Sequence, residues 1–324
     1  MTTRRFALTA AFVALALIWG ASFLLIKESL TGFTPGQVAV GRIVLGAITL
    51  RLIMVATDRA WPREPRFWGH MAAVGILLCV VPFSLYAWAG ESLPSGLSAI
   101  LNASTPLMTA LATAAVLPSE RLASRQVLGV AVGGAGVVLV VGPWGLAANA
   151  VSPALSSFPA QLACLGATAC YGLGFAYMRR FVVGRYRYDA LSVSTVQLTM
   201  AAAVALSCAP LLGALAPAPA PNPWALGALA LLGIFGTGIA YIWNTVIVTH
   251  WGAVAASTVT YLTPLVGVAL GTTLLAESLT WNQPVGCVVV IAGIIAIHRG
   301  AARPRPGQPT AAEVRPVEQP VPAR

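Results

Sequence analysis

Few residues in this chain are suited to covalent chemistry. The three histidines, His70, His250 and His298, stand far apart at the edges of apolar segments. The nucleophile pattern Gly-x-Ser-x-Gly and the zinc-binding pattern His-Glu-x-x-His are both missing from the sequence. The only lysine is Lys27, which is not part of a phosphate-binding loop ending in Gly-Lys-[Ser/Thr]. The sequence therefore predicts no enzyme activity, no ATP-driven pumping, no cofactor and no metal site.

Arg42 is the charged residue best placed to bind a solute. It lies in an apolar segment that begins at Pro35, ~10 Å deep at ~1.5 Å per residue. A charge at the centre of a membrane helix costs about 2.5–3.5 kcal/mol on insertion scales, so such a residue is a candidate for function. Two interpretations stay open: a substrate or gate role, and structural pairing with helix-end carbonyls, Glu28 or Glu91.

The acidic residues lie at the ends of the apolar segments. Glu28, Glu91 and Glu277 belong at one end of the predicted bundle and Glu120 at the other, and none falls in the middle of a segment. A carboxylate near the membrane midplane relays protons in many pumps. Its absence favours facilitated efflux or exchange, or weak proton coupling through an acid at a helix end.

Two prolines and a set of polar and aromatic residues mark a candidate solute pathway. Pro106 and Pro264 each fall inside an apolar segment, where proline removes a helical hydrogen bond and kinks the helix. A freed carbonyl is tolerated at membrane depth where it faces a neighbour or a water-filled cavity. We expect these side chains to line the cavity: Trp19, Ser22, Arg42, Tyr86, Trp88, Asn102, Thr105, Tyr171, Tyr241, Asn244, Thr260 and Tyr261. For each of them, a place in an interfacial aromatic belt or an interhelical hydrogen bond is an open alternative.

The composition of the chain requires a membrane around these residues. Hydrophobic residues make up 58% of the 324 residues and charged residues only 9%, against about 45–50% and 25% in soluble domains. The apolar residues form blocks about as long as a helix needs to cross ~30 Å of hydrocarbon. We predict ten spans: 7–26, 35–56, 68–89, 95–117, 125–141, 159–178, 189–212, 224–248, 252–274 and 283–298.

The basic residues predict the orientation of these spans. If the N-terminus is cytoplasmic, sixteen of the nineteen basic residues fall on the inner side and only Lys27 on the outer side, which is the positive-inside bias. The net charge of +10 is therefore assigned to topology and not to nucleic acid, which needs a clustered basic face. The start of the chain also fits a signal peptide, but its apolar run is long enough to span and has a counterpart in mid-chain. We interpret the five cysteines as small packing residues.

The second half of the chain repeats the first. The stretch from Ser104 to Leu122 returns from Leu262 to Leu279, with Thr-Pro-Leu at its start and Glu-x-Leu at its end. "WGASF" of the first span matches "YGLGF" of the sixth, and "YAW" of the third matches "YIW" of the eighth. Because five spans are an odd number, the second copy enters the membrane from the opposite side. Inverted repeats are typical of secondary transporters, although a duplicated membrane protein that transports nothing remains an alternative.

This order of motifs, found twice over about residues 7–298, resembles the EamA family of the drug/metabolite transporter superfamily. Each half has [Trp/Tyr]-Gly-x-[Ser/Gly]-Phe in its first helix, a proline midway along its fourth, and Glu-x-Leu at the end of that helix. The resemblance implies ten helices, cytoplasmic termini, a cavity lined mainly by helices 1, 3, 4, 6, 8 and 9, and export of small metabolites such as amino acids. Two departures leave the transfer of binding roles open: Gly174 stands where the first copy has Ser22, and no arginine follows Glu277.

The predicted protein is an all-α integral membrane protein with ten transmembrane helices as two inverted five-helix repeats. The repeats cover 1–141 and 159–298, joined by a linker at 142–158 and followed by a disordered cytoplasmic tail at 299–324. We predict an inner-membrane exporter whose partners are a small-molecule substrate and the lipid bilayer, with no nucleic acid. Glycines in the fifth and tenth spans serve packing or a homodimer face. A multidrug or sugar-type permease is the alternative within transport, and a membrane scaffold or enzyme is the alternative outside it.

Overall fold

A computed structural model describes residues 2–117, 123–142, 153–244, 246–247 and 259–300 of the chain. Every regular element in these residues is a helix. The α-helices are α1 Thr2–Ser29, α2 Pro35–Ala56, α3 Pro65–Gly75, α4 Val81–Gly90, α5 Ser95–Asn102, α6 Thr105–Val116, α7 Ser124–Val141, α8 Pro153–Phe181, α9 Ala190–Ser207, α10 Pro223–Gly233, α11 Val259–Leu274 and α12 Asn282–Gly300. The tail beyond 300, most of the linker, Glu120 and the side chain of Thr260 lie outside the described residues.

Seven helical segments in the described residues are long and apolar enough to cross a membrane. They are Leu8–Ser29, Pro35–Ala56, Pro65–Gly90, Ser95–Val116, Ser124–Val141, Ala190–Ser207 and Pro223–Asn244. Tyr261–Leu274 and Asn282–Ile297 are shorter apolar helices. Helix α8 has 29 residues, which is long enough to span, but it is not among the seven. Multiple membrane spans are confirmed, and the number ten stays a prediction.

Two of these segments contain a π-helical turn. Ile76–Val80 joins α3 to α4, and Ile234–Ile239 follows α10. Each turn begins directly after a glycine, Gly75 or Gly233, that ends the preceding helix. A π turn inserts an extra residue into the helix and so changes the direction in which nearby side chains point, and such turns are frequent at functional sites.

Local capping explains where several helices begin. Thr34 and Gln37 form a capping box at the start of α2, with Pro35 in the first turn, where its missing N–H group is not needed. Asp189 accepts hydrogen bonds from the backbone N–H groups of Leu191 and Ser192 at the start of α9. These caps supply partners for N–H groups that have none inside the helix.

Helices from the two predicted repeats are interlocked. Helix α1 packs against α10 and α11 of the second repeat, while α8 packs against α4 and α6 of the first. A Cβ atom on Gly20 would meet Val266, and one on Gly172 would lie 2.6 Å from the backbone of Met108. Gly20 and Gly172 occupy the same place in "WGASF" and "YGLGF", so the conserved place of glycine in the two copies allows the same close approach twice.

Helices α7 and α12 are in close backbone contact. A Cβ atom on Gly293 would lie 2.6 Å from Cα of Gly133, and one on Gly136 would lie 2.6 Å from the backbone N of Val290. Small residues permit this approach, as between many membrane helices. Of the two roles predicted for these glycines, packing is the one that they have within the chain, and the homodimer stays a prediction.

We expect Gly293→Ala to lower thermal stability, because the added methyl group meets backbone atoms that cannot rotate away. Overpacking of this kind costs about 1–3 kcal/mol. Gly134→Ala, also in this helix pair, is the control, since no atom lies within 4 Å of the Cβ position of Gly134. The measurement is the melting temperature of both purified variants in detergent. Equal melting temperatures would show that the two helices do not pack in this way.

Candidate substrate-binding site

Arg42 lies in the interior of the bundle, held by two contacts from other helices. Its side chain is 5% exposed. Its Nε donates to Oγ1 of Thr237 at 3.3 Å, and its Cζ lies 3.7 Å from the centre of the Phe83 ring. A guanidinium over an aromatic face is stabilised by the negative potential of the ring. Neither contact brings a negative charge to Arg42, so its positive charge is not cancelled by them.

The second π turn provides the hydroxyl that holds Arg42. Thr237 lies in Ile234–Ile239, and its Oγ1 donates to the carbonyl oxygen of Leu232 at 3.1 Å. Because that bond uses the only hydroxyl proton, the oxygen is left to accept from Arg42. Gly236 in the same turn gives room for Ser22, whose Oγ would lie 3.0 Å from a Cβ atom placed there.

The predicted pairing of Arg42 with an acid at a helix end does not form. Glu28 accepts a hydrogen bond from Nε1 of Trp224, and Glu91 is exposed. Within the described residues the only salt bridge joins Arg59 to Asp189 at 3.8 Å. Structural pairing with a carboxylate is therefore contradicted, while support from Thr237 and Phe83 is what the structure contains.

A second contact, between Gln197 and Cys79, mirrors the contact between Arg42 and Thr237. Gln197, the repeat partner of Arg42, has its Nε2 3.7 Å from Sγ of Cys79 in the first π turn. Cys79 Sγ in turn lies 3.3 Å from the hydroxyl of Tyr241. Tyr171, Tyr241 and Cys79 are near enough to Arg42 to interact with it electrostatically. Arg42 and Gln197 thus take equivalent places in the two halves, and only one of them is charged.

The two π turns also correct the alignment of the third and eighth spans. A Cβ atom on Gly75 would lie 3.1 Å from the carbonyl oxygen of Gln197, and one on Gly233 would lie 3.3 Å from that of Arg42. Pairing Gly75 with Gly233 places Cys79 over Thr237. The match of "YAW" with "YIW" differs from this pairing by three residues.

Aromatic and amide side chains extend the site toward the fourth span. The hydroxyl of Tyr86 donates to Oδ1 of Asn102 at 2.9 Å. The ring of Tyr86 stacks on Tyr171, with centroids 6.3 Å apart, and meets Phe23 edge-on at 5.3 Å. We call Phe23, Arg42, Cys79, Phe83, Tyr86, Asn102, Thr105, Tyr171, Gln197, Thr237 and Tyr241 the central cluster.

Pro106 lies just after the point where the helix of the fourth span changes its hydrogen bonding. Helix α5 ends at Asn102, and α6 begins at Thr105, so Pro106 lies in the first turn of α6, where it lacks no needed donor. The hydroxyl of Thr105 donates to the carbonyl oxygen of Asn102 at 2.8 Å. Ala103 and Ser104 link the two helices with right-handed helical backbone angles and hydrogen bonds to Ile100 and Leu101, so the kink at Pro106 stays a prediction. Pro264, in contrast, lies inside α11 as predicted.

Several predicted residues lie apart from the central cluster. Trp88 is 47% exposed, two residues beyond the buried Tyr86, and it takes part in none of the contacts described above. Trp19 packs near Leu15, Ala240 and Val259, and Tyr261 packs near Ala103 and Val290. Ser22 is buried beside the second π turn and donates to the carbonyl oxygen of Ile18 at 2.7 Å. Asn244 is half-buried.

Five members of the central cluster were not among the predicted site residues: Phe23, Cys79, Phe83, Gln197 and Thr237. Thr237 stands between two glycines in an apolar span, a signal that could have identified it. Gln197 stands at the position of the second copy that corresponds to Arg42 but carries no charge, and Cys79 was interpreted only as a packing residue. Cys79 carries no sequence signal that separates it from Cys164 or Cys287, because its role depends on which side chains surround it.

Glu277, the acid at the end of the second copy of the repeated motif, caps helix α5. Its Oε1 accepts from the backbone N of Ser95 at 2.7 Å, and its Oε2 accepts from Oγ of Ser95 at 2.8 Å and from N of Gly96 at 3.1 Å. A carboxylate at a helix N-terminus gains both hydrogen bonds and a favourable interaction with the helix dipole. Glu277 therefore fixes the start of α5, and so the position of Asn102 at its other end.

Comparison with known proteins agrees with this architecture. Residues 7–142 and 158–299 match the EamA-like transporter family. The chain belongs to this family. As a member of the EamA-like family it is a multi-pass membrane protein of the transporter type, and the resemblance inferred from the repeated motifs is confirmed.

Relatives in two bacteria share most of the length of the chain. The inner membrane transporter YedA of Escherichia coli (strain K12) is 23% identical over 292 residues, which cover 90% of each chain. The transporter YyaM of Bacillus subtilis (strain 168) is 25% identical over 286 residues, 85% of this chain and 88% of YyaM. A crystal structure aligns with a TM-score of 0.62 at 22% identity, covering 92% of this chain and 99% of the other, which shows a shared fold.

We expect Glu277→Gln to destabilise the protein by about 1–2 kcal/mol, because an amide has one acceptor oxygen and no charge at the start of α5. Glu91→Gln is the matched control, since Glu91 is an exposed acid. Thermal unfolding of both purified variants in detergent gives the comparison. If Glu277→Gln has the same melting temperature as the wild type, the carboxylate does not stabilise the start of α5.

Proposed function

We propose that this chain is a secondary transporter of the inner membrane that exports small metabolites such as amino acids. The observation that carries the proposal is the central cluster, in which an uncancelled guanidinium, two amides and three tyrosines meet between membrane-spanning helices of both halves. Hydrogen-bonding groups and a charge inside a membrane are expensive unless they serve a solute or a water-filled path. A site near the midplane between two repeats is the arrangement that alternating access requires.

The interlocked packing supports two inverted five-helix repeats. The first helix of each half packs against the third and fourth spans of the other half, with matching glycines at the contact. Contacts that are exchanged in this way are expected when a two-fold axis relates the halves. Ten transmembrane helices would make that axis lie in the membrane plane, because each half then crosses an odd number of times.

The composition of the central cluster favours metabolite export over the alternatives. A multidrug permease for cationic compounds is disfavoured because the described part of the cluster contains a cation and no acid. A sugar-type permease is disfavoured because a neutral sugar would leave the charge of Arg42 uncompensated, although the amides and hydroxyl groups suit sugars. A membrane scaffold would give the polar groups between the halves no ligand to bind.

Uptake by everted membrane vesicles tests the proposed transport. Everted vesicles present the cytoplasmic face outward, so an exporter accumulates its substrate inside them. We expect vesicles with the wild-type protein to take up one or more radiolabelled amino acids or related metabolites faster than empty vesicles. If no compound in such a panel is taken up above empty vesicles, transport is refuted and the scaffold alternative is favoured.

Two aromatic variants test whether the central cluster is the transport site. Tyr86→Ala removes the stacking and the hydrogen bond to Asn102, and we expect uptake to fall to near the level of empty vesicles. Trp88→Ala lies two residues further along the same helix, outside the cluster, and should keep most of the uptake at equal expression. Equal losses in the two variants would place the site elsewhere.

The charge distribution gives a prediction for topology. With sixteen of nineteen basic residues on the inner side, both termini should be cytoplasmic. Reporter fusions after residue 299 should therefore be active in the cytoplasm, and fusions near Asn149 in the periplasm. The opposite pattern would refute both the orientation and the inverted repeat.

A further inference from the structure

The central cluster contains one positive charge and no negative charge among the residues that the structure describes. Arg42 is its only basic member, and the acids nearest in the sequence are engaged or exposed elsewhere. On the basis of the transport function proposed above, we propose that Arg42 binds a substrate that has one carboxylate group, and that this carboxylate neutralises the guanidinium. Monocarboxylates, including neutral α-amino acids, form this substrate class.

The contacts of Arg42 leave its two Nη groups available to a carboxylate. Its Nε is used by Thr237, and one face of the guanidinium is covered by Phe83. No described residue accepts from Nη1 or Nη2. Among the described side chains, only Ser98 Oγ and Gln161 Oε1 are polar atoms sealed from solvent without a partner. The two Nη groups of Arg42 are therefore not sealed from solvent, although the residue as a whole is only 5% exposed. Together they match the two oxygens of a carboxylate.

The single positive charge of Arg42 can neutralise only one carboxylate of a ligand. Arg51, on the same helix, is about 13 Å further along at ~1.5 Å per residue, and it donates to Thr199 on α9. A phosphate monoester or a dicarboxylate would bring two negative charges to one arginine, and the second charge would stay uncompensated in a low-dielectric region. A cationic solute would add to the charge of Arg42. One carboxylate neutralises Arg42, and the ammonium group of an α-amino acid needs a separate acceptor.

The rest of the central cluster fits the body of such a substrate. Tyr86, Tyr171 and Phe23 offer aromatic surface. Oδ1 of Asn102 accepts from Tyr86 at 2.9 Å, whereas the hydroxyl proton of Thr105 goes to the backbone carbonyl of Asn102 at 2.8 Å. Because an amide oxygen has two lone pairs, Oδ1 is a suitable second acceptor for the ammonium group of an α-amino acid. Since Gln197 takes the place of Arg42 in the other half, the carboxylate has one preferred end of the site.

Binding of matched compounds to the purified protein tests the carboxylate assignment. The aromatic set is phenylacetate, phenylacetamide, phenethylamine, L-phenylalanine and L-phenylalaninamide, and the aliphatic set is the corresponding series built on isovalerate and L-leucine. Members of each set share an apolar body and differ in the carboxylate. We expect at least one carboxylate in the panel to raise the melting temperature in detergent, and its amide and amine relatives to have no effect.

Variants of the two arginines on α2 assign the binding to Arg42. Arg42→Lys keeps the charge but loses the two-pronged geometry, and we expect the stabilising compound to bind about 10- to 100-fold more weakly. Arg42→Gln should abolish its binding. Arg51→Gln is the matched control, because Arg51 also donates through Nε to a threonine on another helix, and it should bind as the wild type does. An unfolded Arg42→Gln leaves the decision to Arg42→Lys and the wild-type panel.

Several outcomes would overturn the assignment. They are equal stabilisation by amides or amines, wild-type affinity in Arg42→Lys, and the absence of any effect from every carboxylate. Stabilisation by sodium chloride or inorganic phosphate as strong as that by the carboxylate would make the site a general anion site. If everted vesicles take up compounds without a carboxylate, the proposed transport stands and only the substrate class falls. If vesicles take up nothing, the transport proposal falls as well.

Discussion

The contact of Arg42 with Thr237 and Phe83 holds a positive charge inside the membrane without cancelling it. A carboxylate partner would have made the guanidinium a structural ion pair, whereas a hydroxyl and an aromatic ring keep it in place and leave its charge available. This support depends on the second π turn, which brings Thr237 to face α2, and on Gly233, which lets the two helices approach. The site therefore depends on irregular helix geometry that a regular α-helix would not supply.

The two halves contribute equivalent residues to this site, but at one position Arg42 is charged and its counterpart Gln197 is not. Gln197 contacts Cys79 in the first π turn as Arg42 contacts Thr237 in the second. The glycines Gly20 and Gly172 repeat the same close approach to the fourth and ninth spans. The equivalence of the frame is what alternating access between two sides of a membrane needs. Under the proposed function, the single difference in charge would give the site a direction, because a solute with one charged end would prefer one half.

The sequence predicted the membrane spans and the repeat better than the candidate site, and the reasons are physical. Apolar blocks long enough to span, and motifs that recur in order, report membrane spans and repeats directly, and they led to the correct family. The predicted residues Arg42, Tyr86, Asn102, Thr105, Tyr171 and Tyr241 were chosen because polar groups are rare in such spans, and they lie together in the central cluster. Trp88 lies outside that cluster, since an aromatic residue suits either lipid or the interior and only the helix phase decides. The role of Thr237 depends on a π turn, and that of Cys79 depends on its neighbours. Neither can be inferred from the type of the residue.

The most direct test of this account is a cryo-EM structure of the wild-type protein in lipid nanodiscs with a transported compound bound. The account predicts that the compound lies in the central cluster, with its carboxylate oxygens within hydrogen-bond distance of Nη1 and Nη2 of Arg42, while Thr237 and Phe83 keep their contacts. A substrate bound away from α2, or Arg42 paired with an acidic residue of the chain while the substrate lies elsewhere, would contradict it.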